Sequence, residues 1–186
     1  MKKIPTLETE RLILRPFTLE DAPDVQRLAG AREIARTTLN IPHPYEDGMA
    51  EGWIETHQEK FEKGQALELA VVKKEEGKLI GAIALFIQEA FNTGELGYWI
   101  GRPFWNSGYA TEAAGRIMEF GFEELKLNKI FGRFMENNPA SGSIMKNLGM
   151  NEEGHLRQHV RRMGSYYDIK IFGILKSEFE DRKNRK

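Results

Sequence analysis

At 186 residues with a net charge of -1, 40% apolar and 30% charged, the chain has the make-up of one globular domain. It lacks the basic excess that broad nucleic-acid affinity requires, so no direct nucleic-acid partner is expected. The absence of cysteine excludes disulfides, thiol nucleophiles and thiolate metal sites, fits a reducing cytoplasm, and leaves no metal site to expect.

The basic start M-K-K-I-P has no apolar stretch behind it and does not read as a signal peptide. R-L-I-L-R, Arg11 to Arg15, predicts a short strand stopped by Pro16, and Thr18 with Asp21 resembles a helix-capping signature ahead of Pro23. Residues 31–48 read as a loop, because Pro42 and Pro44 forbid a regular helix, and His43 is read as a loop residue. A helix is predicted over 47–63, with Met49, Trp53, Ile54 and Phe61 inward and His57 in solvent. Ala66 to Lys73 and Leu79 to Gln88 predict an antiparallel hairpin around the polar turn K-E-E-G-K. Its apolar run, Leu79 to Ile87, is too short to cross a bilayer, so no membrane is expected.

Glu95 to Ile100 reads as a buried strand, with Glu95, Gly97 and Trp99 on one face and Leu96, Tyr98 and Ile100 on the other. Pro103 stops it, and the loop W-N-S-G-Y-A enters a helix. Small or apolar residues at Ala110, Ala113, Ala114, Ile117, Met118, Gly121 and Leu125 mark one face of that helix. Lys129 to Met135 is a strand reached through the helix, so it should pair parallel with Glu95 to Ile100. Asn138 is a good N-cap, Pro139 suits the first helical position and Gly149 suits the end. A strand through Arg161, a Met163-Gly164 turn and a last strand, Tyr166 to Leu175, follow, and the tail from 179 to 186 is expected to fray.

The chemistry concentrates in the central loop. Gly108 can adopt a backbone shape closed to other residues, and the loop delivers the unpaired N–H groups of a helix start, where an anion is favoured. A phosphate or pyrophosphate is the expected visitor. No Gly-Lys-Ser/Thr is present, which excludes a nucleoside-triphosphate loop, and no G-x-G-x-x-G follows the strand, which excludes a dinucleotide fingerprint.

The run G-Y-W-I followed by W-N-S-G-Y-A-T-E-A resembles the acetyl-coenzyme A binding segment of the GNAT N-acetyltransferases, in the branch of Rim-type ribosomal-protein N-acetyltransferases. Gly108 and Ala110 fit the general pattern, and Trp105 stands where other branches have Gln or Arg. The opening T-E-R-L-I-L-R-P-F-T-L-E-D and the later N-P-A-S and L-G-M match the same branch. The resemblance implies one α/β (α+β) domain over 1–186. Its mixed, mostly antiparallel sheet would have about six to seven strands, splay between the Glu95 and Lys129 strands, and carry about four flanking helices.

The implied reaction is acetyl transfer from acetyl-CoA to a primary amine, with a protein N-terminus such as that of a ribosomal protein as the first acceptor class. A small amine (polyamine, amino acid or aminoglycoside) is the alternative, and a non-catalytic CoA-binding sensor is the reading from another class. A homodimer is left open. Trp105, Asn106, Ser107, Gly108, Tyr109, Ala110 and Thr111 would hold the pyrophosphate, the pantetheine arm would lie along Tyr98, Trp99 and Ile100, and Asn138 and Ser141 would reach the coenzyme. An N–H near Ile100 would face the thioester oxygen, where such a donor is worth about 3 kcal/mol.

Ser141 is the candidate proton donor to the thiolate, since Met145 stands where many members carry a tyrosine; its alternative is a backbone bond in the first helical turn. The branch's glutamate after L-G-M is missing from H-L-R-Q-H-V-R-R. Glu95 is therefore the first candidate base and a strand-end ion pair its alternative, with His159, His155 and Asp168 as rivals. Asp168 is more simply read as a partner of Arg161 or Arg162, Glu112 as a helix-dipole residue, and Arg157, Arg161 and Arg162 as a solvated face.

Overall fold

The computed structural model describes residues 2–185; Met1 and Lys186, at the ends of the signal-peptide and frayed-tail readings, lie outside them. The strands are β1 (Leu7–Glu8), β2 (Leu12–Arg15), β3 (Ala66–Lys73), β4 (Lys78–Gln88), β5 (Thr93–Ile100), β6 (Lys129–Met135), β7 (Asn151–Arg162) and β8 (Ser165–Leu175). The helices are α1 (Ala22–Ala29), α2 (Arg32–Thr37), α3 (Met49–Glu55), α4 (His57–Glu62), α5 (Tyr109–Glu123), α6 (Pro139–Asn147) and α7 (Lys176–Asn184). The strands form one sheet of eight, in the order β1-β2-β3-β4-β5-β6-β8-β7, where the sequence suggested six to seven. The two-residue β1 and the helices α2 and α7 are what the sequence pattern missed, being too short or too polar to show a period.

Every pairing is antiparallel except β5 with β6, which α5 connects as a crossover. β3 and β4 are buried on both faces, which explains their nearly unbroken apolar runs. One face packs under α5, where Ala113, Ala114, Ile117, Met118 and Phe122 meet Leu69, Ile83, Leu85 and Leu96. The other lies beneath α1 and α3, with Ala70, Ala82 and Trp99 against Val25, Leu28 and Ile54.

The parallel pair is incomplete. It runs from Thr93 opposite Lys129 to Leu96 opposite Gly132 and then stops, although β5 stays paired with β4 to Ile100 and β6 with β8 to Met135. Met145 of α6 packs at the fork, its Cε 2.5 Å from where a Cβ on Gly132 would stand. A side chain at 132 would collide with this wedge, so the glycine lets α6 approach where the strands part. The splay opens the β6-facing edge of Gly97–Ile100, leaving backbone groups of a central strand without ladder partners.

Several local expectations change. The helix predicted over 47–63 breaks at Thr56, whose hydroxyl donates to Trp53 O at 2.7 Å. The restart turns His57 inward: it is 4% exposed, not solvated, and packs edge-on to Trp53 with ring centroids 4.5 Å apart. Burial, with the nearby Lys60 charge adding, pushes its pKa down to about 4. The unfolded chain takes this proton near pH 6.5, so the stability from neutral His57 is complete above that pH and is lost as pH falls through about 4. Urea denaturation of wild type and His57→Phe should diverge by about 3 kcal/mol between pH 7 and pH 4, wild type losing more; a difference that stays flat with pH would refute this.

The 31–48 loop contains α2, which ends before Pro42 and Pro44. The tail is helical to Asn184, where fraying was expected. Phe179 packs on Phe122, and Lys183 reaches Glu119 and Glu123 at 3.1 and 2.6 Å. Among the described residues no helix is long and apolar enough to cross a membrane.

Candidate active site at the sheet fork

The loop after β5 folds back over the strand end. Trp105 donates its indole N–H to Ile100 O at 2.6 Å, so this side chain caps the strand that the loop leaves. Asn106 and Gly108 have positive φ of 59° and 79°, and Gly108 is the N-cap of α5. Two left-handed residues flanking Ser107 cup the backbone, and the first N–H groups of α5 open above the cup.

Glu112, in the first turn of α5, would oppose an anion there, but its carboxylate is turned away. It accepts from Thr9 Oγ1 at 2.5 Å, Arg11 N at 2.9 Å and Arg11 Nε at 2.7 Å, and Arg11 also donates to Ser107 O at 3.0 Å. Burial raises the carboxyl's pKa, yet these bonds outweigh it and hold the group below the usual range. Glu112 is thus tied to the turn between β1 and β2, a partnership the helix-dipole reading did not foresee.

A cleft of about 590 Å³ follows the fork from this loop to α6. Every residue that the sequence singles out for the coenzyme lines it: Trp99, Ile100, Trp105, Asn106, Ser107, Gly108, Tyr109, Ala110, Thr111, Asn138 and Ser141. A second cavity, about 490 Å³, lies on the α1–α3 side of the sheet beneath the loop after α2. The two share Thr37, Thr38, Tyr98, Trp99, Asn138 and Ser141, so they meet at one wall.

Asn138 organises that wall. Its Oδ1 accepts from Ser141 N at 3.3 Å, as an N-cap should, while its Nδ2 donates to Ser141 Oγ and to Thr37 O, both at 3.0 Å. Ser141 Oγ bonds no backbone carbonyl, unlike Ser143, which donates to Pro139 O at 3.2 Å. The Ser141 hydroxyl therefore accepts from Asn138 and keeps its proton available to the cleft. Beside it is Tyr98, which the sequence had offered only as strand lining. Its hydroxyl is buried without a well-formed hydrogen bond, and burial pushes the phenol up to about 12 while Ser141 pulls the other way. Alternation along β5 gave the face of Tyr98, but its meeting with α6 is a tertiary event.

Of the candidate bases, Glu95 lines the second cavity, with Arg133 Nε and Nη2 donating to its two oxygens at 2.8 and 3.0 Å. The strand-end ion pair is therefore present within the cavity itself. His159 is exposed on β7 and lines neither cavity. His155 Nε2 lies 2.7 Å from Asp168 Oδ2, and Asp168 also accepts from Gln158 N at 2.7 Å, where the strand bulges. Asp168 thus pairs with His155 and the bulge, not with Arg161 or Arg162. Together with Glu136, just past the end of β6, these two form a cluster at the surface, outside both cavities.

Arg162 departs from the solvated-face expectation. Its Nη2 donates to Ala35 O at 2.9 Å and Ile41 O at 2.6 Å, pinning the loop that roofs the second cavity. Arg162→Ala leaves two part-buried carbonyls without this donor, so a loss of about 1–3 kcal/mol in denaturant unfolding is expected. The acceptor KM should rise with it; an unaltered stability and KM would contradict the pinning role.

The profile of the acetyltransferase (GNAT) domain family matches residues 11–151. An uncharacterized N-acetyltransferase, p20, of Bacillus licheniformis is 32% identical over 176 residues, covering 94% of this chain and 98% of that protein. Spermidine N-acetyltransferase from Vibrio cholerae, solved with CoA and spermine, superposes with a TM-score of 0.80 at 24% identity, covering 92% of this chain and 99% of that one. The ribosomal L7/L12 α-N-protein acetyltransferase RimL, solved with coenzyme A, superposes with a TM-score of 0.82 at 14% identity, covering 92% and 98%. With its forked sheet and a profile match over most of its length, the chain belongs to the GNAT N-acetyltransferase family.

Proposed function

We propose that the protein transfers the acetyl group of acetyl-CoA to a small primary amine. The observation that carries this reading is the common wall of the two cavities, where Tyr98, Asn138 and Ser141 face both the cleft at the fork and the chamber beside it. A carrier with its pyrophosphate on the Asn106–Thr111 cup and its arm along the open edge of Gly97–Ile100 brings a thioester to that wall. An amine in the second cavity then approaches the carbonyl carbon directly.

In the step itself the amine nitrogen forms a bond to the carbonyl carbon, and the carbonyl electrons move to oxygen beside a β5 backbone N–H. The C–S bond breaks as the oxyanion collapses. The Ser141 hydroxyl, strengthened as a donor by the bond it accepts from Asn138 and with the Tyr98 phenol behind it, gives its proton to the departing sulfur and takes one back from water in the cleft. The amine proton leaves through water toward Glu95. Glu95 and Glu68 are the carboxylates lining the acceptor cavity, and Glu95 lies on the strand that carries the thioester.

The cavity's size and aromatic lining, with Tyr45, Trp53, Phe86 and Trp99, suit a compact acceptor. A protein N-terminus is the second reading, supported by the RimL likeness and by the sequence resemblance. Isothermal calorimetry with CoA, thiol release across an amine panel, and mass spectrometry of an acetyl-CoA-treated cytosolic extract separate the alternatives. One-to-one CoA binding with turnover of small amines is expected. Acetylated protein N-termini without small-amine turnover would establish the second reading, CoA binding without any transfer would leave a sensor, and no CoA binding would remove them all.

A further inference from the structure

Glu68 is out of place in its strand. Residues 66–72 of β3 are all buried, and Glu68 alone among them is charged, with its residue 4% exposed. A buried carboxylate is costly unless it has partners or a task. Trp53 Nε1 donates to Oε1 at 3.1 Å and Lys60 Nζ to Oε2 at 3.3 Å, and the neutral His57 ring lies 3.7 Å away. Each carboxylate oxygen keeps a free acceptor position after these bonds. Lys60 is partly solvated, so its ammonium can withdraw to water.

The sheet register shows where Glu68 stands relative to the chemistry. Glu68 is opposite Ala84, which is opposite Gly97. Directly paired residues share a face, so this row forms a floor of small residues leading from β5 to the carboxylate. Phe86 with Glu95 lies along one side and Ala82 with Trp99 along the other, and all of these line the acceptor cavity. Two strand spacings separate the ends of the row, about 10 Å.

Resting on the acetyl-transfer reading above, we propose that Glu68 is a specificity-determining residue that binds a second cationic group of the acceptor, about 10 Å from the nitrogen that is acetylated. The acceptor class is then a primary amine with a second ammonium or guanidinium group, its apolar middle lying over Ala84 and Gly97 beside Trp99 and Phe86.

The test compares α,ω-diaminoalkanes with monoaminoalkanes of equal chain length, using the full chain and acetyl-CoA with thiol release as readout. Wild type should prefer the diamine in kcat/KM by about 10- to 100-fold, most strongly when the nitrogens are about 10 Å apart. Glu68→Gln should collapse that preference through KM of the diamine. Lys60→Ala, which removes the competing ammonium, should lower the same KM and increase the preference, an opposite shift that a merely structural role for Glu68 would not give. If Glu68→Gln does not fold, Lys60→Ala carries the test alone. Equal use of monoamines and diamines, or a Lys60→Ala preference that stays the same or falls, overturns the proposal while leaving acetyl transfer intact. CoA binding with no turnover of any amine overturns the acetyl-transfer reading and this inference with it.

Discussion

Ser141→Ala is expected to lower kcat about 10²-fold, with KM for acetyl-CoA moving far less, because a donor to the departing thiolate acts chiefly in the transition state. The geometry separates this from helix capping. Asn138 supplies the cap through Oδ1, and Ser141 Oγ is engaged only as an acceptor, so removing it does not uncap α6. Tyr98→Phe should cost less, about tenfold, since the phenol lies behind the serine. If the two hydroxyls act as one unit, the double variant should be no slower than Ser141→Ala alone. Steady-state kinetics at saturating acetyl-CoA across pH supply the comparison; a Ser141→Ala enzyme with wild-type kcat would exclude the serine from the step.

Gly108→Val should weaken CoA binding about 10²-fold. The residue has φ of 79°, a left-handed conformation that costs an ordinary side chain roughly 1–2 kcal/mol, and branching at Cβ makes it worse. The added methyl groups would also stand over the cup formed by Asn106 to Thr111, where the diphosphate must approach the N–H groups. That backbone strain should also lower the thermal midpoint by a few degrees, but no steric clash adds to it, because the space around Gly108 is open apart from the Arg11 guanidinium, 3.4 Å from where a Cβ would stand. Calorimetry with CoA measures the effect directly. Unchanged affinity in a folded Gly108→Val protein would mean that the carrier is held elsewhere.

Both expectations begin in features legible in the chain. Strand alternation in Glu95 to Ile100, the helical spacing from Ala110 to Leu125 and the Asn138-Pro139 start each report a local backbone preference, and each became an element. The parallel pairing followed from the intervening helix. The helix break at Thr56 was not legible, because the apolar stripe through Trp53, Ile54 and Phe61 is imperfect either way and packing against β3 decides its phase. His57 and Arg162 were misread for the same reason. A polar residue looks solvated until another segment covers it: Phe17 and Glu68 close over His57, and Ala35 and Ile41, more than a hundred residues away in the chain, hold Arg162.

The order of residues by itself determined a glycine-hinged loop between a buried strand and an amphipathic helix, since φ preference, side-chain alternation and the 3.6-residue period act between near neighbours. Only the three-dimensional arrangement decided that Met145 wedges the fork at Gly132, that Asn138 presents a free Ser141 hydroxyl to two chambers, and that Glu68 lies across two strands from Gly97. Those relations join segments far apart in the chain, where register and packing fix distances that no local preference encodes.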